Sequence, residues 1–262
     1  EDYVLVGEWD WPAGMGAVGV DDSGRVYVAD RRNRIVVFST EGEYLYKWGG
    51  FYSIEEMGAD RRGNVYVADW YLDTDCVGSW RHWRIQKFRS DGTWLAGLSG
   101  CQGYPSYAIE FVEGIAPEPA GGVYVGESSW DYSPRIRRRS SSLGLITSWT
   151  LRGVGDAGLC DIAASDNGYV FAAVRADSTI HKYTADGLLA DRWPAEGIGP
   201  IAVDHDENVY IGGSQVMKYT SDGTLLATWS SYGTHGIAVD ADGYVYVSTG
   251  DRRIQKFGRL QR

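Results

Sequence analysis

The chain of 262 residues is acidic, with a formal net charge of −10, and it combines 44% hydrophobic residues with 35 glycines. This hydrophobic content excludes a disordered chain, and the many glycines argue against long helices, in which glycine is costly. The charge disfavours nonspecific binding to nucleic acid or an anionic membrane, and no apolar stretch in the sequence is long enough to span a bilayer.

The first predicted element is a single strand from Tyr3 to Trp9, and a four-strand pattern then repeats six times. Each repeat contains an apolar triplet with a central aromatic residue, which we predict to be its second strand, B. A short apolar strand A precedes each triplet, and a glycine turn such as Ala241-Asp242-Gly243 joins the two. The triplets begin at Val26, Val65, Val123, Val170, Val209 and Val245.

Strands C and D complete each repeat. Strand C typically reads Arg-Ile-x-x-Phe, as at Arg84 and Arg253, and strand D usually ends in tryptophan. The third repeat differs, because Arg139 takes the place of the aromatic residue in strand C. Its arginine run, 137 to 139, is predicted to be a solvated strand on the outside of the blade. The tryptophans are Trp48, Trp149, Trp193 and Trp229.

The two ends of the sequence complement each other. The sixth repeat stops after strand C, whereas the N-terminal strand looks like a strand D with no repeat before it. We therefore predict an all-β fold, a six-bladed β-propeller of four-stranded antiparallel blades, in which the N-terminal strand completes the last blade. Residues 1–262 would form a single domain.

The repeat resembles a known family. Gly236-Ile-Ala-Val-Asp240, followed by Gly-x-Val-Tyr-Val and Arg-Ile-x-x-Phe, is similar to the NHL repeat, most clearly in blades 1, 2, 5 and 6. The resemblance implies a platform that binds protein or RNA, although the charge disfavours RNA here. Related six-bladed propellers include metal-dependent lactonases and peptide-amidating lyases, so the fold alone does not choose a function.

The connections between strands B and C and between strands D and A share one face, called the top face here. Its longest connections, 70–83, 99–112 and 128–134, belong to blades 2 and 3 and are rich in aromatic residues. We predict that they bind a protein, peptide or glycan, and the alternative that they pack on one another stays open. The predicted binding residues are Trp70, Tyr71, Trp80, His82, Trp83, Tyr104, Tyr107, Trp130 and Tyr132.

Three acidic residues that end strand B are predicted to form structural ion pairs with arginines of strand C. The predicted pairs are Asp30 with Arg34, Asp69 with Arg84, and Glu127 with Arg135.

Cys76 and Cys101 lie on two top-face connections of blade 2 and are predicted to form a disulfide. Such a bond implies a periplasmic or secreted protein, because the cytosol keeps thiols reduced. A monomer without nucleic-acid or membrane partners is expected.

Alignment of the six strand-A entries predicts a metal site at the top mouth of the central channel. One ring of the alignment contains Gly16, Glu55, Glu113, Cys160, Gly199 and His235, and the next contains Glu56 and Asp161. Glu55, Glu113 and His235, with Asp161 or Cys160, could hold calcium or a transition metal. The gluconolactonase family is similar in placing a metal-binding Glu or Asn at this entry.

Two functions therefore stay open. The first is a binding propeller that presents an aromatic patch on the top face of blades 2 to 4. The second is a metal-dependent hydrolase or lyase at the channel mouth, with a carboxylate such as Glu56 as base. The alternative to a metal is that the acids face a water-filled channel and bind nothing.

Overall fold

The computed structural model describes residues 2–71, 82–101, 111–119, 121–128, 133–154 and 158–260, without the side chains of residues 82 and 101. These residues form twenty-four β-strands in six four-stranded sheets. They contain no helix with the length and apolar character needed to cross a membrane.

The first three blades follow one another along the chain. Blade 1 contains β2 (Met15–Val20), β3 (Arg25–Asp30), β4 (Arg34–Ser39) and β5 (Tyr44–Gly49). Blade 2 contains β6 (Ser53–Ala59), β7 (Val65–Tyr71), β8 (His82–Phe88) and β9 (Trp94–Cys101). Blade 3 contains β10 (Phe111–Pro117), β11 (Val123–Ser128), β12 (Arg135–Arg139) and β13 (Leu145–Thr150).

The last three blades complete the ring. Blade 4 contains β14 (Leu159–Ala164), β15 (Val170–Val174), β16 (Thr179–Tyr183) and β17 (Leu189–Pro194). Blade 5 contains β18 (Ile201–Val203), β19 (Val209–Gly212), β20 (Gln215–Tyr219) and β21 (Leu225–Ser230). Blade 6 contains β22 (Thr234–Val239), β23 (Val245–Thr249), β24 (Arg253–Arg259) and the N-terminal strand β1 (Tyr3–Asp10).

The predicted closure of the ring is confirmed. Strand β1 pairs antiparallel with β24, with Tyr3 opposite Arg259 and Asp10 opposite Arg253. The inner strand of blade 6, β22, also contacts the inner strand of blade 1, β2. The chain therefore closes both at the inner edge, by packing, and at the outer edge, by the strand from the N-terminus.

The aromatic residue at the centre of strand B anchors the turn between strands A and B. Tyr27 is fully buried, and its hydroxyl donates a hydrogen bond of 2.7 Å to Oδ2 of Asp21. Tyr210 donates to Asp204 in the same way. The aspartate also accepts turn amides, as Asp21 does from the amides of Ser23 and Arg25. Blades 1, 5 and 6 thus share one buried hydrogen-bond unit, whereas Phe171 of blade 4 has no hydroxyl to form it.

Neighbouring blades pack through the tryptophan of strand D. Trp48 covers the turn between strands C and D of blade 2, where a Cβ added to Gly92 would lie 2.7 Å from Cγ of Trp48. Gly92 also has a φ of +86°, which favours glycine. The same arrangement joins Trp9 to Gly42, Trp149 to Gly187 and Trp193 to Gly223.

The ion pairs predicted at the ends of strand B are confirmed. Asp30 pairs with Arg34, Asp69 with Arg84 and Glu127 with Arg135, and all three carboxylates are buried.

The prediction that arginines 137 to 139 form a solvated strand is wrong. Arg137 and Arg139 are only 8% and 6% exposed. Glu127 accepts a hydrogen bond of 3.1 Å from Arg137, and Arg139 donates to the carbonyl oxygen of Leu143. These partners make burial of the guanidinium groups tolerable, because a buried charge needs a partner.

Candidate functional site

The first strands of the six blades line a central channel that contains a cavity of about 760 Å³. In five blades, strand A has a β-bulge at its top entry; in four of them a single residue there has no partner on strand B, and in blade 1 the bulge lies between Met15 and Val18. A bulge changes the direction of its side chain, and bulges are common beside active sites. The bulged residues are Glu55, Glu113, Cys160 and His235, which are four members of the ring that the sequence alignment predicts.

Three carboxyl groups on the blade 2 to 4 side of the mouth have raised pKa values. Burial, followed by the charges of Asp161 and Glu113, raises the pKa of Glu56 well above its ordinary value. Burial also raises the pKa of Glu113, and it raises that of Asp161 to about 7. Carboxyl groups perturbed by burial and by one another are a feature of functional sites, although structural networks show it too.

Asp161 is held in place by backbone amides from two blades. Its Oδ1 accepts a hydrogen bond of 2.7 Å from the amide of Ile162, and its Oδ2 accepts one of 2.9 Å from the amide of Ile201 in blade 5. Gly114 of blade 3 leaves the space for this carboxyl, because a Cβ there would lie 2.5 Å from Oδ1. The position of Asp161 is therefore determined by three neighbouring blades.

The raised pKa of Asp161 gives an expected pH dependence of stability. The folded protein holds this proton with a pKa of about 7, against an ordinary value of 3.8. The folded state therefore binds the proton more tightly, and the free energy of unfolding falls as the pH rises from about 4 to about 7. Asp161→Asn should reduce this slope, measured as melting temperature against pH from 4 to 8. An identical slope in the variant would contradict the assignment.

Cys160 is not poised as a nucleophile at neutral pH. Its thiol lies 3.1 Å from a guanidinium nitrogen of Arg175, but burial outweighs this cation and raises the pKa of the thiol to about 11. The neutral thiol is a poor nucleophile and a poor metal ligand.

The residues predicted to hold a metal are only partly brought together. Glu56 and Asp161 line the cavity, and their charges interact with Glu113. His235 lies on blade 6, and its Nδ1 donates to the carbonyl oxygen of Met15 at 3.1 Å. Within the described residues, no group of three or more His, Cys, Asp or Glu side chains is arranged to hold a metal ion. The metal site at the channel mouth therefore stays a prediction.

The aromatic residues of blade 2 differ from the prediction in one respect. Strands β7 and β8 extend to Tyr71 and His82, with Trp70 opposite Trp83, so these residues continue the ladder where a loop was expected. Trp83 is only 3% exposed and packs against Phe111, with ring centroids 5.6 Å apart. The expectation that Trp83 lies on a loop outside the blade core is wrong, because aromatic residues favour strand pairing.

Trp70 lies between the other aromatic residues of blade 2 and the channel mouth. Its indole Nε1 donates a hydrogen bond of 2.6 Å to Oε1 of Glu55, the bulged residue of the same blade. The ring of Tyr52 lies beside it, with centroids 5.4 Å apart and planes inclined at 54°. Tyr71 lies on the other side of the strand pair, and its ring centroid is 4.6 Å from the guanidinium carbon of Arg84. Aromatic and acidic residues thus meet at one place on the top face.

The other predicted residues of the top face lie outside the described part of the chain. They are Trp80, Tyr104, Tyr107, Trp130, Tyr132 and Cys76, together with the side chains of His82 and Cys101. Their roles in binding and in a disulfide stay predictions, as does the extracytoplasmic location that the disulfide implies.

Polar residues bridge blades at the opposite, bottom mouth of the channel. Arg61 of blade 2 forms an ion pair of 2.5 Å with Asp166 of blade 4, and His205 of blade 5 lies 3.1 Å from the same carboxylate. These contacts cross the channel at the turns between strands A and B. They therefore narrow the bottom mouth of the channel.

Three residues at the site, Tyr52, Asn33 and Arg175, were not predicted from the sequence. Asn33 accepts from the amide of Ile54 and donates to the carbonyl of Tyr52, and Arg175 contacts Cys160. Asn33 lies on the B–C connection of blade 1, Tyr52 on the connection between blades 1 and 2, and Arg175 on the B–C connection of blade 4, the blade of Cys160. The position of Tyr52 three residues before Glu55 was the available signal.

The sheet order and the closure define a six-bladed β-propeller whose candidate site lies at the top mouth of its channel. A solved structure titled "Streptogramin B lyase structure" is similar, with a TM-score of 0.67 and 13% identity over 98% of this chain and 97% of that one. The WD40 β-propeller domain of Doa1 is also similar, with a TM-score of 0.66 and 14% identity over 99% and 98%.

These identities support the fold alone. No protein-family model matches the sequence, and no curated protein matches it either. The resemblance to the NHL repeat therefore stays a resemblance of motifs.

Proposed function

We propose that this propeller binds a ligand on its top face. One end of the ligand would lie in the channel mouth and the other on the aromatic residues around Trp70 in blade 2. The observation that carries the proposal is the hydrogen bond from Trp70 to Glu55, which places an aromatic ring directly beside a polar channel entry. Pockets that combine a flat apolar wall with a few converging polar groups are typical ligand sites.

The shape of the channel supports the same proposal. The cavity of about 760 Å³ is large enough for a small molecule or for the end of a peptide or glycan. The bridge of Arg61, Asp166 and His205 at the bottom mouth favours entry and exit through the top. Glu55 lines this cavity, and Trp70 is hydrogen-bonded to it.

Replacing Trp70 should weaken binding strongly. A panel of neutral oligosaccharides, short peptides and small organic molecules can be screened through the tryptophan fluorescence of the protein. For a ligand found in this way, Trp70→Ala is expected to lower affinity by at least about tenfold, because a central tryptophan is a typical binding hot spot.

Trp94 provides the matched control. It is 59% exposed and lies at the start of the outer strand of the same blade, away from the top face. Trp94→Ala should leave affinity unchanged. Because Trp70 is half-buried, Trp70→Phe should be tested beside Trp70→Ala, with melting temperatures for both. A ligand whose affinity depends on Trp94 and not on Trp70 would move the site elsewhere.

The alternative function, a metal-dependent hydrolase or lyase, stays a prediction from the sequence. We derive no reaction for it here, because the described residues contain no group of three or more metal-ligating side chains.

A further inference from the structure

Tyr52, Trp70 and Glu55 form a corner at the channel mouth, called the aromatic corner here. Tyr52 is 52% exposed, Trp70 is half-buried, and Glu55 is exposed. The two rings are inclined at 54°, so they form two walls that meet at an angle. The carboxylate of Glu55 is held against the edge of the indole by the bond of 2.6 Å from Nε1.

This combination favours a positively charged ligand. The faces of tyrosine and tryptophan rings attract cations through their quadrupoles, and tryptophan does so most strongly. The hydrogen bond to a carboxylate is charge-assisted, which keeps the negative group at a fixed place beside the rings.

The corner is also held in position before a ligand arrives. Nδ2 of Asn33 donates a hydrogen bond of 2.5 Å to the carbonyl of Tyr52, and Oδ1 of Asn33 accepts one of 3.2 Å from the amide of Ile54. Asn33 itself has a φ of +57°, a conformation that asparagine adopts more readily than most residues. A segment fixed in this way loses little entropy when a ligand binds.

We propose that the aromatic corner recognises an organic cation in which the charge is spread over N-alkyl groups, such as a quaternary ammonium. This inference rests on the proposed function and names the class of ligand for the same site. A cation of this kind is weakly hydrated, so it loses little when it leaves water for the face of a ring. Aromatic rings are the known means by which proteins bind quaternary ammonium groups.

The test compares choline with its uncharged tert-butyl isostere, in which carbon replaces the nitrogen. Both are titrated into the full chain at concentrations up to about 10 mM, a range that detects millimolar affinities. Choline is expected to bind at least about fivefold more tightly than the isostere, which matches a cation–π contribution of about 1 kcal/mol. Calorimetry or tryptophan fluorescence provides the measurement.

Three variants locate the effect. Glu55→Gln keeps the acceptor for the Trp70 indole but removes the charge, so it should lower choline affinity and leave that of the isostere unchanged. Trp70→Leu should lower the affinity for both probes. Tyr232→Ala removes another aromatic residue, 67% exposed, from the connection between blades 5 and 6, and should change neither.

The outcomes separate the two proposals. Equal binding of choline and the isostere, or no choline binding in this range, overturns the cation inference. The proposed function still stands in that case if a neutral ligand binds in a manner that depends on Trp70. Choline binding that is insensitive to Glu55→Gln and Trp70→Leu overturns the aromatic corner as its site.

Discussion

Tyr3→Ala is expected to lower the free energy of unfolding by about 3 to 5 kcal/mol, the usual cost of removing a large buried aromatic side chain. Tyr3 belongs to the N-terminal strand, but its ring stacks on Trp229 of blade 5, with centroids 4.2 Å apart and planes inclined at 12°. Its hydroxyl lies 3.1 Å from that of Tyr210. The residue therefore joins the closing strand both to blade 6 and to the neighbouring blade.

The loss should appear as a melting temperature lower by about 10 °C for a domain of this size. Leu5→Ala is the control, because Leu5 lies on the same strand but is 50% exposed, so its truncation should change stability by less than about 0.5 kcal/mol. Tyr3→Phe measures the hydroxyl alone. Deletion of residues 1–9 should be more severe still, because it exposes the edge of β24 and favours aggregation. Equal melting temperatures for Tyr3→Ala and Leu5→Ala would show that Tyr3 does not secure the closure.

Gly92→Ala is expected to cost about 3 kcal/mol, for two separate reasons. A residue other than glycine at a φ of +86° is strained by about 1 kcal/mol or more. In addition, the new Cβ would lie 2.7 Å from Cγ of Trp48, so the interface between blades 1 and 2 would have to move. Overpacking of this kind typically adds 1 to 3 kcal/mol, roughly the remainder of the expected cost.

Gly243→Ala separates these two contributions. Gly243 has a φ of +80°, but a Cβ added there would meet no atom within 4 Å. This variant should lose only the backbone contribution of about 1 kcal/mol. Denaturant unfolding of both variants measures the difference. If the two variants lose equal stability, the packing of Trp48 on the turn of blade 2 adds nothing to the cost of Gly92→Ala.

One interface between blades shows how the chain itself avoids this clash. Leu98 takes the place of the tryptophan in strand D of blade 2, opposite Ile85. The turn that it meets in blade 3 has Leu143 where the other blades have glycine, and Leu143 is buried although its φ is +67°. Leu98 packs against the cluster that contains Leu143. The smaller side chain on one blade thus makes room for a side chain on the next.

The sequence by itself determined the repeat, the four strands of each blade, the closure by the N-terminal strand and the ring of strand-A entry residues. These features are local or periodic, since each aromatic triplet and each turn glycine specifies its own strand or hairpin. The ion pairs across the B–C hairpins could be predicted for the same reason, because strand pairing places Asp30 beside Arg34.

Only the tertiary structure decided which side chains meet across blades. It turned His235 towards Met15, anchored Asp161 on the amide of Ile201, and brought Asn33 of blade 1 to Tyr52 at the edge of blade 2. It also buried Trp83, Arg137 and Arg139, which the sequence pattern placed outside the core. The physical reason is that periodicity reports which face of a strand is apolar, whereas contacts between blades depend on bulges, on the angle between sheets and on the partners available to a buried charge.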